Sequence, residues 1–162
     1  MHNFKIETYF KIIFIISVVA IISAFYIEYI LGHQPCKLCL IERIPYVLSV
    51  ILVILKYFFR NNEKFIILLL FLVFAFSFII AFYHFGIEQG FFEESAFCGV
   101  KNSTEIISKE ELLKQLQENT ISCRDVTFRI FGFSLTIINM LISLILLILL
   151  STILKDYEKN KK

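Results

Sequence analysis

Long stretches of this chain carry almost no charge, and that limits what it can fold into more than any other feature. Phe65 to Gly86 and Ile130 to Leu154 contain no formally charged residue, and Ile12 to Leu31 contains only Glu28. About 20 apolar residues in helical form span the hydrocarbon core of a bilayer. Backbone amides there must be bonded within the segment, so these runs are expected to be helices. A weaker run begins at Ile44. Its uncharged part ends at Leu55, but Lys56 can lay its stem along apolar surface and extend the run to Phe59. Pro45 suits an early helical turn, where no amide hydrogen is needed. The first run is long for a signal segment and lacks a small-x-small cleavage pattern, so it is expected to remain as a span.

The reading that follows is an all-α polytopic membrane protein, a four-transmembrane-helix bundle forming one domain over residues 1–162. Its spans are expected at about 12–31, 44–59, 65–86 and 130–154, with outer loops at 32–43 and 87–129. Composition decides one further point. The chain is 58% hydrophobic, against about 45–50% for soluble domains, and no polar stretch is long enough to bury its own core. The long loop is expected to hold a short amphipathic helix from Ser108 to about Asn119. A capping box opens it, and Leu112, Leu113 and Leu116 share one face.

Charge orients the bundle. Lys5, Lys11, Lys56, Arg60, Lys64, Lys155, Lys159, Lys161 and Lys162 all fall in the two tails and the middle connection. The positive-inside rule puts those segments in the cytoplasm and both cysteine-bearing loops outside. The seven tyrosines lie near the expected span ends, as headgroup-level residues do. Outside the cytoplasm, disulfides form and persist. No nucleic-acid partner is expected.

All four cysteines lie on that outer side: Cys36 and Cys39 in a C-x-x-C, and Cys98 and Cys123 in the long loop. A C-x-x-C can close a small disulfide ring or bind a metal. Cys39 is expected in the first turn of a helix, where the dipole favours a thiolate. Arg43, four residues on, shares its face and adds a cation. A four-cysteine zinc site lacks a second close pair, and haem attachment would need His where Leu40 stands. Two inert structural disulfides remain the main non-catalytic alternative, and a cation at Arg43 argues against it. No metal is expected.

These features together resemble the DsbB family of quinone-linked thiol oxidases. The resemblance rests on C-x-x-C followed by Glu42-Arg43, on Tyr83-His84-Phe85-Gly86-Ile87-Glu88 before Cys98, and on Phe131-Gly132-Phe133-Ser134-Leu135 after Cys123. It covers nearly the whole chain. It implies an inner-membrane enzyme that reoxidises a periplasmic thioredoxin-like (DsbA-like) partner and passes electrons to ubiquinone or menaquinone. It also implies disulfides Cys36–Cys39 and Cys98–Cys123. Cys39 and Arg43 would meet the quinone, and Cys98 would be attacked first by the partner. It assigns no role to His84 or Glu88. Vitamin K epoxide reductase-like enzymes use similar chemistry, but their quinone-side C-x-x-C comes late in the chain, whereas here it comes early.

Overall fold

The computed structural model describes residues 2–58, 63–94, 98, 122–124, 128–130 and 132–159. Four long helices dominate it. They are α1 (His2–Phe25), continued by a π-helical turn at Tyr26–Ile30, α2 (Lys37–Phe58), α3 (Glu63–Glu88) and α4 (Leu135–Lys159). Strands β1 (Arg129–Ile130) and β2 (Phe133–Ser134) form a small antiparallel hairpin before α4, with Gly132 at φ +87° in its turn. All four helices are long and apolar enough to cross a membrane. The amphipathic helix expected at Ser108–Asn119 lies outside the described residues.

Only a minority of each apolar span is buried. Rows such as Phe65, Leu68, Leu72, Phe76 and Ile79 of α3 face outward, as lipid-contacting rows do. The inward rows form a core of Phe10, Ile13, Val53, Ile67, Leu70, Phe74, Leu146 and Leu150. In lipid, apolar burial drives helix association weakly, and small polar contacts contribute more. Ser49 of α2 donates to Ser17 of α1 at 2.6 Å, and Ser77 of α3 bonds Ser143 of α4 at 2.9 Å. α3 packs most extensively on α4, and α2 packs on both α1 and α3. α1 scarcely touches α4.

Several boundaries differ from those read off the charge pattern. α2 begins at Lys37, so the expected loop at 32–43 shrinks to the few residues before it. Glu42 and Arg43 read as lying outside the span because charge is costly there, but both have partners that let them enter it. The last helix begins at Leu135 because the hairpin strands take up Ile130, Phe133 and Ser134. Lys56 does not reach outward. It is buried, with its ammonium 4.6 Å from the Phe10 ring centroid and 3.6 Å from Glu63. Tyr46 also points inward rather than to the headgroup level.

The end of α3 sets up the outer face. The Phe91 N–H donates to the Gly86 carbonyl at 2.8 Å and the Gly90 N–H to that of Ile87 at 3.0 Å, while Gly90 holds φ +78°. This is the Schellman stop, which needs a left-handed residue at that point. Gly90→Ala should therefore cost about 1–2 kcal/mol, and Gly90→Asn less, because Asn tolerates this conformation. Reversible unfolding in detergent checks this; equal stability of Gly90→Ala and the parent would exclude a strained cap.

Candidate functional site

Cys36 is the N-cap of α2. Its carbonyl accepts from the Leu40 N–H at 3.2 Å, the first bond of the helix. Its Sγ accepts from the Cys39 N–H, also at 3.2 Å. A side-chain acceptor on the third amide is the usual N-cap contact, here made by sulfur in place of oxygen. The amides at the helix start therefore act on Cys36. The sequence reading had assigned that effect to Cys39, which does fall in the first turn as expected, but the sulfur that accepts a helix-start amide is that of Cys36.

The two thiols are unbonded here and hydrogen-bonded to each other, Sγ to Sγ, at 2.8 Å. His84 of α3 approaches from the other side, with Nε2 3.6 Å from the Cys36 sulfur. Cys36 is pulled down from the ordinary 9.0 to about 4. The hydrogen bond with the Cys39 thiol does most of this. Burial opposes it, and the hydrogen bond and charge of His84 and the Cys39 amide lower it further. At neutral pH, Cys36 is a thiolate.

The basic side chain that approaches Cys36 is therefore His84. Arg43 is ion-paired with Glu28, which the π-helical turn presents to it, and its guanidinium lies 5.4 Å from the Phe25 ring centroid. Arg43 and Cys39 nonetheless share a face, as their spacing implied, and both line a cavity of about 520 Å³. The cavity lies between α1, α2 and α4, where α1 and α4 scarcely meet. Its walls are mostly aliphatic residues of α1 and α4. Its polar groups include His33, Cys39, Glu42, Arg43 and Asn139.

Glu42 joins the site to the bundle. One carboxylate oxygen accepts from His84 Nδ1 at 2.8 Å and the other from Asn139 Nδ2 at 2.8 Å. The Tyr46 hydroxyl donates to Asn139 Oδ1. Asn139 of α4 thus bonds two residues of α2. Glu88 ties α3 to the start of α4, accepting from Thr136 at 2.6 Å and Ser134 at 2.7 Å. Sequence reasoning gave His84, Glu42 and Glu88 no role. Only the H-x-x-x-E spacing, which puts His84 and Glu88 on one face of α3, was available as a signal.

Cys98 and Cys123 are joined by a disulfide, and both are buried. They pack in one cluster with Cys36, Leu38 and Ile87, and Tyr83 and Cys39 lie against it. The structure therefore brings all four cysteines together. Cys36 lies on the disulfide side, and Cys39 also opens onto the cavity.

Four membrane-length helices with a thiolate-bearing C-x-x-C beside a buried disulfide define a polytopic membrane protein of dithiol–disulfide exchange. The family model described as disulfide bond formation protein DsbB matches residues 7–153. An uncharacterized protein of Rickettsia prowazekii (strain Madrid E) is 30% identical over 148 residues, covering 90% of this chain and 86% of its own. No solved structure matches. The chain belongs to the DsbB family, and it is a membrane oxidoreductase of disulfide bond formation.

Thiolate absorbance of the reduced protein should titrate with a midpoint near 4, and Cys39→Ala should raise it by removing the largest contribution. The folded value lies below the free-thiol value. The thiolate therefore stabilises the reduced fold fully above about 9, progressively less as pH falls, and not at all below about 4. A midpoint near 9 would mean that Cys36 is an ordinary thiol.

Proposed function

We propose that this chain is a thiol:quinone oxidoreductase of the bacterial inner membrane. It reoxidises a periplasmic DsbA-like, thioredoxin-like dithiol oxidase and delivers the electrons to ubiquinone or menaquinone. The observation that carries this reading is the two-sided placement of the C-x-x-C: Cys36 packs with the Cys98–Cys123 disulfide, and Cys39 lines the cavity. The basic tails and the basic middle connection support cytoplasmic termini and periplasmic cysteines.

The cavity suits a quinone. A volume of about 520 Å³ lies in the range of small-molecule sites, and its aliphatic walls with a few polar atoms match a ring on an isoprenoid tail. Cys39, Arg43 and Asn139 would hold the head. Bound there, a quinone supplies a two-electron, two-proton acceptor more oxidising than a cysteine pair.

The protein's own residues carry the exchange. After the partner has reduced Cys98–Cys123, a thiolate of that pair attacks Cys36 Sγ of an oxidised Cys36–Cys39 bond. One S–S bond forms, and Cys39 leaves with the electron pair. The second thiolate of the outer pair then attacks its mixed-disulfide neighbour and releases Cys36. A sulfur with a value near 4 is a good leaving group for that step. Arg43, held by Glu28 beside the cavity, offers a fixed planar cation to negative charge developing near Cys39. Cys98 is buried in the same cluster as Cys36, which suits direct exchange between the two pairs.

Two measurements test this. Arg43→Ala should raise the apparent KM for quinone about tenfold to a hundredfold, the roughly 1.5–3 kcal/mol of a hydrogen bond to a charged group, while single-turnover exchange at Cys98 and Cys123 persists. Arg43→Lys should keep part of the activity. An unchanged quinone dependence in Arg43→Ala would reduce Arg43 to an interfacial anchor. For orientation, an impermeant thiol reagent should label Glu93→Cys in intact cells and Lys155→Cys only after lysis. The reverse pattern would overturn the topology.

A further inference from the structure

The sequence offered two sulfurs close together and no further metal ligand near them. The fold supplies a third donor, 48 residues from Cys36 in the chain. The sulfurs of Cys36 and Cys39 and a ring nitrogen of His84 lie within 4.8 Å of one another. We propose that the reduced Cys36–Cys39 pair and His84 Nε2 form a binding site for a thiophilic divalent cation, zinc being the type.

Three features of the geometry carry this. Nε2 faces sulfur because Nδ1 is already committed to Glu42 at 2.8 Å. A ligating histidine whose other nitrogen donates to a carboxylate is the usual support of zinc sites, fixing ring orientation and raising donor strength. Asn139 in turn holds the far oxygen of that carboxylate, so the support is itself braced. Second, the spacing is close to what the ion needs. Zinc bonds of about 2.3 Å to sulfur and 2.0–2.1 Å to nitrogen put neighbouring tetrahedral ligands about 3.5–3.8 Å apart. The Nε2–Cys36 separation of 3.6 Å fits, and the 2.8 Å between sulfurs must widen by about 1 Å, within reach of side-chain rotation. Third, two thiolates and an imidazole are borderline-soft donors. They select zinc-like ions over magnesium or calcium.

The bound state requires both sulfurs as thiolates and a bare Nε2, so protons held there pass to solvent and the site weakens as pH falls. No electron moves. Closing the Cys36–Cys39 disulfide consumes both sulfur ligands, so the ion and the oxidised pair exclude each other. An ion that reaches the outer face therefore holds the site in its dithiol form, as a reversible block. The proposal needs neither quinone nor partner, and its failure would leave the oxidoreductase reading standing.

The test uses the full chain with Cys98→Ala and Cys123→Ala, so that one dithiol remains. The protein is purified in mild detergent, depleted of quinone and reduced under anaerobic conditions. Zinc is titrated against a chromophoric chelator, and cobalt serves as a spectroscopic probe. The reduced protein should bind one zinc per chain, and the same protein after oxidation of the pair should bind none. This arm needs no substitution at the site. Cobalt should give thiolate charge-transfer bands with tetrahedral d–d intensity. Glu42→Gln should weaken zinc about tenfold to a hundredfold, the usual effect of losing an outer-shell partner. His84→Gln should weaken it at least as much and shift the cobalt spectrum. Equal zinc uptake by reduced and oxidised protein would overturn the proposal. So would an affinity and cobalt spectrum unaltered in His84→Gln.

Discussion

A carboxylate inside a membrane-spanning helix is tolerable only when both oxygens are held, and Glu42 meets that condition by drawing on two other helices. His84 comes from α3 and Asn139 from α4, each at 2.8 Å. Bonds this short fix the rotation and height of three helices at the outer end of the bundle. In lipid, apolar packing alone would leave them free to slide, because a leucine gains little by exchanging an acyl chain for another leucine. The same carboxylate orients the His84 ring toward the Cys36 sulfur. The bundle's register and the chemistry of its thiolate thus depend on one side chain.

The two cysteines of one short motif consequently face different surroundings. Cys36 caps the start of the helix, takes an amide hydrogen bond and lies in the cluster with the second disulfide. Cys39, three residues on, lines the cavity together with Arg43, which is ion-paired with Glu28. Three residues is just under one helical turn, so the sulfurs stay close enough to bond while their outer sides differ. The spacing both permits a ring to close and separates the two surfaces that the ring connects.

Much of this was legible beforehand. Uncharged runs reveal membrane helices because the bilayer core penalises charge, and the C-x-x-C spacing marks two sulfurs able to meet, while leaving a ring and a metal site both open. Glu42 and Arg43 were placed outside the span by the same penalty, which single-chain patterning cannot lift. Their partners His84, Asn139 and Glu28 are supplied by tertiary structure. The inward turn of Tyr46 and the burial of Lys56 escaped notice for that reason. The capping role of Cys36 escaped notice as well: Cys39 lies in the first turn as expected, but the sulfur that meets a free amide belongs to the residue just before the helix.

The gap between α1 and α4 sets unusual terms for whatever occupies the space behind it. A molecule dissolved in acyl chains that moves into an aliphatic cavity passes from one oily medium to another. Dehydration, the main source of affinity for apolar ligands in water, contributes almost nothing to such a transfer. Discrimination must then come from the handful of polar atoms at one end, and residence time from how closely the walls match the molecule's shape. Such a cavity samples the composition of the surrounding lipid phase far more directly than any aqueous concentration.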